Sequence, residues 1–306
     1  MKAIQIAQHG GPEVLTLVDL PDLPPGPGEV AVQIRAASVN AADWKVRRGS
    51  STASVTLPHV PGRDFAGTVV AVGEGADLAV GTDVFGVCPR ETEGGYASRI
   101  VLPADLVAPM PAGFSHVESA AIALAGLTAM ISLQDTLHLQ AGEKILVQGG
   151  AGGVGGMAVQ LARYMGAHVV TTGRAVNRDY LLGLGAHEVL DYTTQDIGAA
   201  LGDCDAAFDT VGAATVPGSF AALRPGGRAA FIASGTAAPE PTRTDVTALR
   251  PAVNRSRALM ARVAALAELG VFKPPVIETM PLADAARAHV ASEAGHVRGK
   301  LVLLPD

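Results

Sequence analysis

KILVQGGAGGVGGMAVQLARYM, running from Lys144 to Met165, decides how the rest of the chain is read. Lys144 to Gln148 alternates and is rich enough in β-branched residues to form a short buried strand. It leads into Gly149–Gly156 and then into a helical pattern with Val154, Ala158, Leu161 and Met165 on one face. Gly150, Gly152 and Gly155 satisfy G-x-G-x-x-G, with Gly153 and Val154 opening the helix. The first glycine is expected to allow a tight turn, and the second to let backbone N–H groups approach a pyrophosphate. The third lets helix and strand pack closely, and the helix start supplies partial positive charge. A further strand, His168 to Thr172, follows, which is the context this motif requires. The stretch therefore reads as a dinucleotide site.

Outward from it the chain changes rhythm. From about Gly142, Lys144–Gln148, His168–Thr172, Glu188–Asp191, Asp205–Thr210 and Gly227–Ala233 read as strands, several with helical patterns between them, and Arg257–Leu269 as an amphipathic helix. That alternation indicates a parallel, doubly wound sheet. Ligands of such sheets bind beyond the carboxyl ends of the strands, so Val211-Gly212 and Ile232-Ala233-Ser234 are expected at the cofactor. Before Ile100, Lys2–Ile6, Val14–Val18, Glu29–Arg35 and Gly67–Val72 alternate between turn clusters, suggesting a small, partly closed barrel. Thr236–Thr247 reads as a mobile surface loop, and Gly299–Leu304 as a terminal strand.

The bulk properties exclude several classes. The chain has 306 residues, 48% of them hydrophobic, and a net charge of −6, which argues against nucleic acid or an anionic membrane as partner. Cys88 and Cys204 make no disulfide framework. The longest apolar run, Ser119–Leu133, is too short to span a bilayer and reads as a buried helix. The opening MKAIQIAQHG has no hydrophobic signal region, so a cytoplasmic enzyme is expected.

Several ordered segments carry a resemblance: Pro27-Gly28-Glu29-Val30, Ser38-Val39-Asn40-Ala41-Ala42-Asp43, Pro61-Gly62-Arg63-Asp64-Phe65-Ala66-Gly67, Gly94-Gly95-Tyr96-Ala97, Ala125-Gly126-Leu127-Thr128-Ala129 and Arg298-Gly299-Lys300-Leu301-Val302. With the glycine loop, they resemble the zinc-independent, quinone-oxidoreductase-like branch of the medium-chain dehydrogenase/reductase superfamily. The resemblance implies an α/β fold, with a GroES-like catalytic domain over 1–117 and 266–306 and a Rossmann domain over 118–265. It also implies a homodimer joined by edge strands of the two Rossmann sheets, Val246–Pro251 being the expected strand.

Zinc members of that superfamily hold the metal with a Cys and a Gly-His-Glu. Here Asn40 and Gly62-Arg63-Asp64 stand in those places, and the structural four-cysteine lobe is absent. Three protein donors are no longer supplied, so no metal is expected. Without a Lewis acid, a conjugated acceptor suits the chemistry, because hydride transfer to it spreads charge into an enolate or hydroquinone. For the cofactor, the second Rossmann strand ends without an acid before Asp179. Gly173 leaves room for a 2′-phosphate that Arg174 or Arg178 can bind, which favours NADPH over NADH. By the resemblance, Tyr192 contacts the adenosine phosphate and Thr128 faces the nicotinamide end.

For the reaction itself, Asn40 is expected beside the nicotinamide and substrate by its match to the Ser-Val-Asn loop. Asp43 is expected to orient that loop, the alternative being a helix N-cap. Lys45 is a candidate donor to a developing enolate, and Tyr96 a candidate pocket residue or a closer of a barrel turn. Arg298 and Lys300 are candidates for the pyrophosphate or substrate; a solvated strand is the alternative for Lys300. The eight histidines are expected mostly at the surface. Two other functions compete with quinone or enone reduction. One is a 2-enoyl thioester reductase using Arg47, Arg48 and Arg63 for a phosphopantetheine or CoA arm. The other is a non-catalytic NADPH-binding sensor or structural protein.

Overall fold

A computed structural model describes residues 1–51 and 55–305. The chain divides into two compact units, Met1–Leu124 with Arg255–Gly270 and Pro274–Asp306, and Ala125–Asn254 with Val271–Lys273. The boundaries read from the sequence, 117/118 and 265/266, fall inside helices, whereas the chain passes from the first unit to the second at 124/125 and back at 254/255.

In the first unit the strands are β1 (Lys2–Gln5), β2 (Thr16–Asp19), β3 (Glu29–Ser38), β4 (Asp64–Val72), β5 (Asp83–Val87), β6 (Arg99–Pro103) and β7 (Val107–Pro109). Helix α1 (Ala41–Arg47) follows β3, and α2 (His116–Met130) leaves the unit at Leu124. The second unit holds β8 (Lys144–Gln148), α3 (Gly153–Tyr164), β9 (His168–Gly173), α4 (Arg178–Gly183) and β10 (Glu188–Asp191). It continues through α5 (Ile197–Ala200), β11 (Cys204–Asp209), α6 (Val216–Ala221), β12 (Leu223–Phe231) and β13 (Thr247–Leu249). The chain then returns to the first unit with α7 (Arg257–Glu268), β14 (Ile277–Pro281), α8 (Ala285–Glu293) and β15 (Lys300–Leu304).

β3 organises the first unit. It pairs antiparallel with β4 along its length, with β6 over Glu29–Gln33 and with β15 at Ala37–Ser38. The sheet runs β14-β15-β3-β4-β5-β7, and curls because the β3–β4 register shifts twice. Gly67 permits this approach, since a Cβ there would stand 2.1 Å from the Gln33 carbonyl oxygen. Val30, Val32, Ile34, Phe65 and Leu303 fill the interior.

All six strands of the second unit are parallel, in the order β10-β9-β8-β11-β12-β13. The order reverses at β8, which puts a crevice at the carboxyl ends of β8 and β11. Among the described residues β13 has β12 as its one neighbour, so the expected edge strand is present, shortened to Thr247–Leu249. The loop expected over Thr236–Thr247 ends where β13 begins. β12 starts at Leu223 rather than Gly227, since the sheet absorbs Pro225 and Gly226 at a register irregularity. Helix α3 is buried continuously from Gly155 to Ala162, a wider face than the sequence pattern suggests, while Met165 caps its end. The apolar run at Ser119–Leu133 lies in α2 and a π-helical turn over Ile131–Thr136. Among the described residues, His116–Thr136 is the one helix long and apolar enough to cross a membrane, and 78% of its most apolar window is buried, as in a core helix.

Within the glycine loop, Gly150 and Gly155 serve packing and Gly152 does not. A Cβ at Gly155 would stand 2.2 Å from the Gly149 carbonyl oxygen, and one at Gly150 would stand 2.0 Å from Thr171 Oγ1. The left-handed turn residue is Gly149, φ +76°, so Gly150 is required by contact and not by the turn. A Cβ at Gly152 meets only the Gly149 oxygen at an ordinary 3.5 Å. Gly155→Ala is therefore expected to cost about 2–3 kcal/mol of stability through overpacking. Gly152→Ala is expected to unfold like the wild type while losing dinucleotide affinity. Urea denaturation beside calorimetric titration with NADPH checks both, and equal stability of the two variants would contradict this division.

Candidate functional site

β3 ends at Ser38, and the chain turns through Val39 and Asn40 into α1. Asn40 is the N-cap, with extended backbone, and its N–H donates to Asp43 Oδ2 at 2.9 Å. Asp43 is thus the third helical residue reaching back to the cap, not the cap itself. The Asn40 side chain is committed elsewhere. Its Nδ2 donates to Asp64 Oδ1 at 2.7 Å and to the Ser38 carbonyl at 3.3 Å, and its Oδ1 accepts from Lys300 Nζ at 2.8 Å. Asp64 also accepts from Ser38 Oγ at 2.7 Å and from the Leu124 N–H at 3.1 Å.

Behind this loop lies a buried polar chain. Tyr96 donates its hydroxyl to Asp43 Oδ2 at 2.8 Å, and His289 Nε2 sits 3.2 Å from the same hydroxyl. Gly62 makes room for the ring: a Cβ there would stand 2.4 Å from Tyr96 Cδ1. Asp43 Oδ1 is buried without a hydrogen bond, 3.7 Å from Arg63 Nε. Burial, then the nearby Glu93 carboxylate, pushes the Asp43 carboxyl up to about 7. Burial, then the cationic Arg47, pulls His289 down to about 3, so it is neutral. The Tyr96 phenol is raised by burial and then by Asp43. Glu93 accepts from Arg63 Nε at 2.7 Å and pairs with His59 Nε2 at 3.0 Å, from a backbone with φ +45°. A buried non-glycine residue in that region is a local cost the surrounding contacts hold in place.

Some of the expectations change here. Asp43 is buried and holds the loop at Asn40, the role expected for it, and Tyr96 is fully buried behind it, as in the barrel-turn alternative. Both donors of Asn40 are used within the protein. Lys300, for which a solvated strand was one reading, is 5% exposed. Lys45 lies half-buried with its ammonium 5.5 Å from the Trp44 ring centre, a cation–π contact. Arg298 is exposed in the turn before β15. Cys88 is buried and its thiol is pushed up by burial, as a small hydrophobe's would be. Most of the histidines are exposed or half-buried, as expected; His59 and His289 are the buried exceptions. Arg255 escaped the sequence reading. Its Nε and Nη1 are buried without partners, and burial, then Arg63, lowers its guanidinium to about 10. No motif marks it, because its neighbours are brought by the fold.

In the second unit the glycine loop is tied to the sheet. Gly149 N–H donates to Thr172 Oγ1 at 3.0 Å and Gly150 N–H to the Thr172 carbonyl at 3.1 Å. No side chain caps the start of α3, so the N–H groups around Gly153 and Val154 have no side-chain acceptor from the cap. Gly173 is buried, and Leu181 fills the space its side chain would take, so packing, not room for a phosphate, explains it. Arg174 is exposed where β9 ends, whereas Arg178 donates to the Val189 carbonyl at 3.1 Å. Tyr192 follows β10 and is exposed. Val211 N–H donates to Asp209 Oδ1 at 2.9 Å, and Ser234 Oγ to the Ala237 carbonyl at 2.8 Å. Ile232 is half-buried beyond β12, and Thr128 is buried on α2.

Residues 26–112 match the alcohol dehydrogenase GroES-like domain, and residues 184–303 match a domain described as zinc-binding dehydrogenase. The quinone oxidoreductase of Pseudomonas aeruginosa is 32% identical, over 99% of each chain. The chain belongs to the quinone oxidoreductase-like family of medium-chain dehydrogenases/reductases. Among solved structures, Escherichia coli quinone oxidoreductase complexed with NADPH superposes with a TM-score of 0.91, at 29% identity over 100% of both chains. A mycocerosic acid synthase-like polyketide synthase of Mycobacterium tuberculosis is 32% identical over 98% of this chain and 15% of its own length. At the first-unit loop the residues standing in the metal-donor places are engaged by other groups. Asn40 Oδ1 already accepts from an ammonium, Arg63 is bound to Glu93, and Asp64 accepts from three neighbours. A cation among these groups would meet two others.

Proposed function

We propose that the chain is an NADPH-dependent, metal-free reductase that transfers hydride to a quinone or another conjugated carbonyl. Full-length similarity to quinone oxidoreductases, at a loop where Asn40 and Arg63 replace metal-donor residue types, carries the reading. The dinucleotide fits the second unit: Gly152 has no packing reason to lack a side chain, and its opening adjoins the uncapped start of α3. Gly152, Gly153 and Val154 would hold the pyrophosphate, and Arg174 the 2′-phosphate. When bound, NADPH supplies the hydride. Near the loop, Arg255 holds a guanidinium whose Nε and Nη1 are buried without a hydrogen-bond partner among the described residues, so an acceptor would reach them only if the surrounding side chains moved. Asn40 offers the remaining lone pair of a fixed carboxamide.

The second reading, 2-enoyl thioester reduction, is favoured by the polyketide synthase relative. Its basic patch is weaker than the sequence suggests, because Arg47 is fully buried on Glu293 and Arg63 is held by Glu93. Oxidation of NADPH with 1,4-benzoquinone, 9,10-phenanthrenequinone and a crotonyl thioester in parallel tests the proposal. Faster turnover with the quinones is expected. Preference for the thioester would replace the first reading with the second, and tight NADPH binding with no turnover would point to a non-catalytic role.

The proposal includes a cytoplasmic location and a homodimer joined through the β13 edges, supported by the single neighbour of that strand. Sedimentation velocity is expected to give twice the chain mass; a monomer at micromolar concentration would contradict the dimer.

A further inference from the structure

We propose that Lys300 is a positioning residue of this reductase, fixing the carboxamide of Asn40 and holding a positive charge at the catalytic loop. The inference rests on the reductase reading above. Lys300 is brought to the site by β15, at the far end of the chain, where its backbone N–H donates to the Val276 carbonyl at 2.9 Å. Gly299 allows the strand to enter so closely: its φ is +76°, and a Cβ there would stand 2.0 Å from the Val276 carbonyl oxygen. The ammonium donates to the Val39 carbonyl and to Asn40 Oδ1, each at 2.8 Å.

An ammonium donates and never accepts, whereas a carboxylate oxygen accepts. Lys300 on one side and Asp64 on the other therefore permit one orientation of the Asn40 amide, oxygen toward Lys300 and nitrogen toward Asp64. Flipping it would set an NH2 group against an ammonium and an oxygen against a carboxylate. The third N–H of Lys300 has no acceptor among the described residues. The charged groups acting on it are Asp64 from β4 and Asp43 from α1, both favouring the ammonium, while burial acts more strongly and lowers its pKa. Against burial, the Val39 carbonyl, Asn40 Oδ1 and the charges of Asp64 and Asp43 favour the charged form of the amine.

A double-mutant cycle for NADPH oxidation with 1,4-benzoquinone tests this, using Lys300→Met, Asn40→Ala and the pair. If Lys300 acts through Asn40, each single change lowers kcat by roughly 10- to 100-fold and the pair loses no more than the worse single. Multiplying losses would overturn the proposal. Lys2, Lys45, Lys144, Lys273 and Lys300 are all the lysines of the chain, so the Lys300 side chain is resolvable by 13C NMR. In the wild type its ammonium is expected to titrate below the others, and lower still in Asn40→Ala, which loses an acceptor. An unchanged titration in Asn40→Ala would overturn the proposal even if Lys300→Met does not fold. Absence of quinone turnover by the wild type would instead reject the reductase reading, leaving the NMR result to decide whether Lys300 holds Asn40.

Discussion

Replacing Arg174 by alanine is expected to weaken NADPH binding by about 30- to 150-fold, corresponding to roughly 2–3 kcal/mol for lost charge-assisted hydrogen bonds. NADH binding is expected to change by less than about threefold, because NADH has no 2′-phosphate for the guanidinium to meet. The structure narrows the choice between the two arginines. Both are exposed and flank the short 3-10 turn Ala175–Asn177, but Arg178 Nη1 is drawn onto the Val189 carbonyl, while Arg174 stands directly where β9 ends. Asp191 brings a carboxylate to the same turn, accepting from the Ala175 N–H at 3.0 Å. Hydrogen bonds from Thr193, and the charge of Arg174, keep that carboxyl below its ordinary range. Removing Arg174 therefore removes the positive member of the pair and leaves the negative one facing the phosphate. Fluorescence titration with both cofactors is the check, and equal losses would contradict the assignment.

The second large effect concerns stability against pH. Asp43 rises from 3.8 to about 7 on folding, so between those values the native state binds the extra proton. Its contribution is fully present below the unfolded value and is lost as pH rises through about 7. His289 falls from 6.5 to about 3, so between those values the unfolded state binds the extra proton. Its contribution is present above 6.5 and is lost as pH falls toward about 3. Each effect is on the order of 4 kcal/mol, and in the shared window their slopes oppose each other. The wild type is thus expected to show little net slope from this pair between about pH 4 and 6.5. Asp43→Asn, which imitates the protonated acid, leaves His289 unopposed, and stability should rise by up to about 1.4 kcal/mol per pH unit. His289→Gln leaves Asp43 unopposed, and stability should fall with pH by a similar amount. Urea unfolding at three pH values across the window checks the pair; parallel curves for the two variants would contradict it.

Much of the fold was legible in the sequence because local patterns and tertiary structure agreed there. Lys144–Gln148 and Glu188–Asp191 are strands with the bounds read from periodicity, since turn residues flank them directly. Where a residue's reason for being present lies across the fold, the sequence was silent. Gly150 looks like a turn residue and is instead fixed by Thr171 on the next strand. Gly173 looks like room for a ligand and is filled by Leu181. Lys300 sits in a strand whose charge suggests solvent, yet it is buried against a loop some 260 positions earlier. Tyr96 and Asp43 were recognised as important, but their burial was not, because nothing local announces the His289 ring that packs edge-on against Tyr96. Arg255 has no motif at all.

The central claim is hydride transfer from NADPH to a quinone without metal. Its most direct test is the initial rate of NADPH oxidation with 1,4-benzoquinone by chelator-treated protein, followed at the near-ultraviolet absorbance of the cofactor. The account predicts turnover unaffected by the chelator and faster with NADPH than with NADH. Turnover abolished by the chelator and restored by zinc, or no turnover with any quinone, would contradict it.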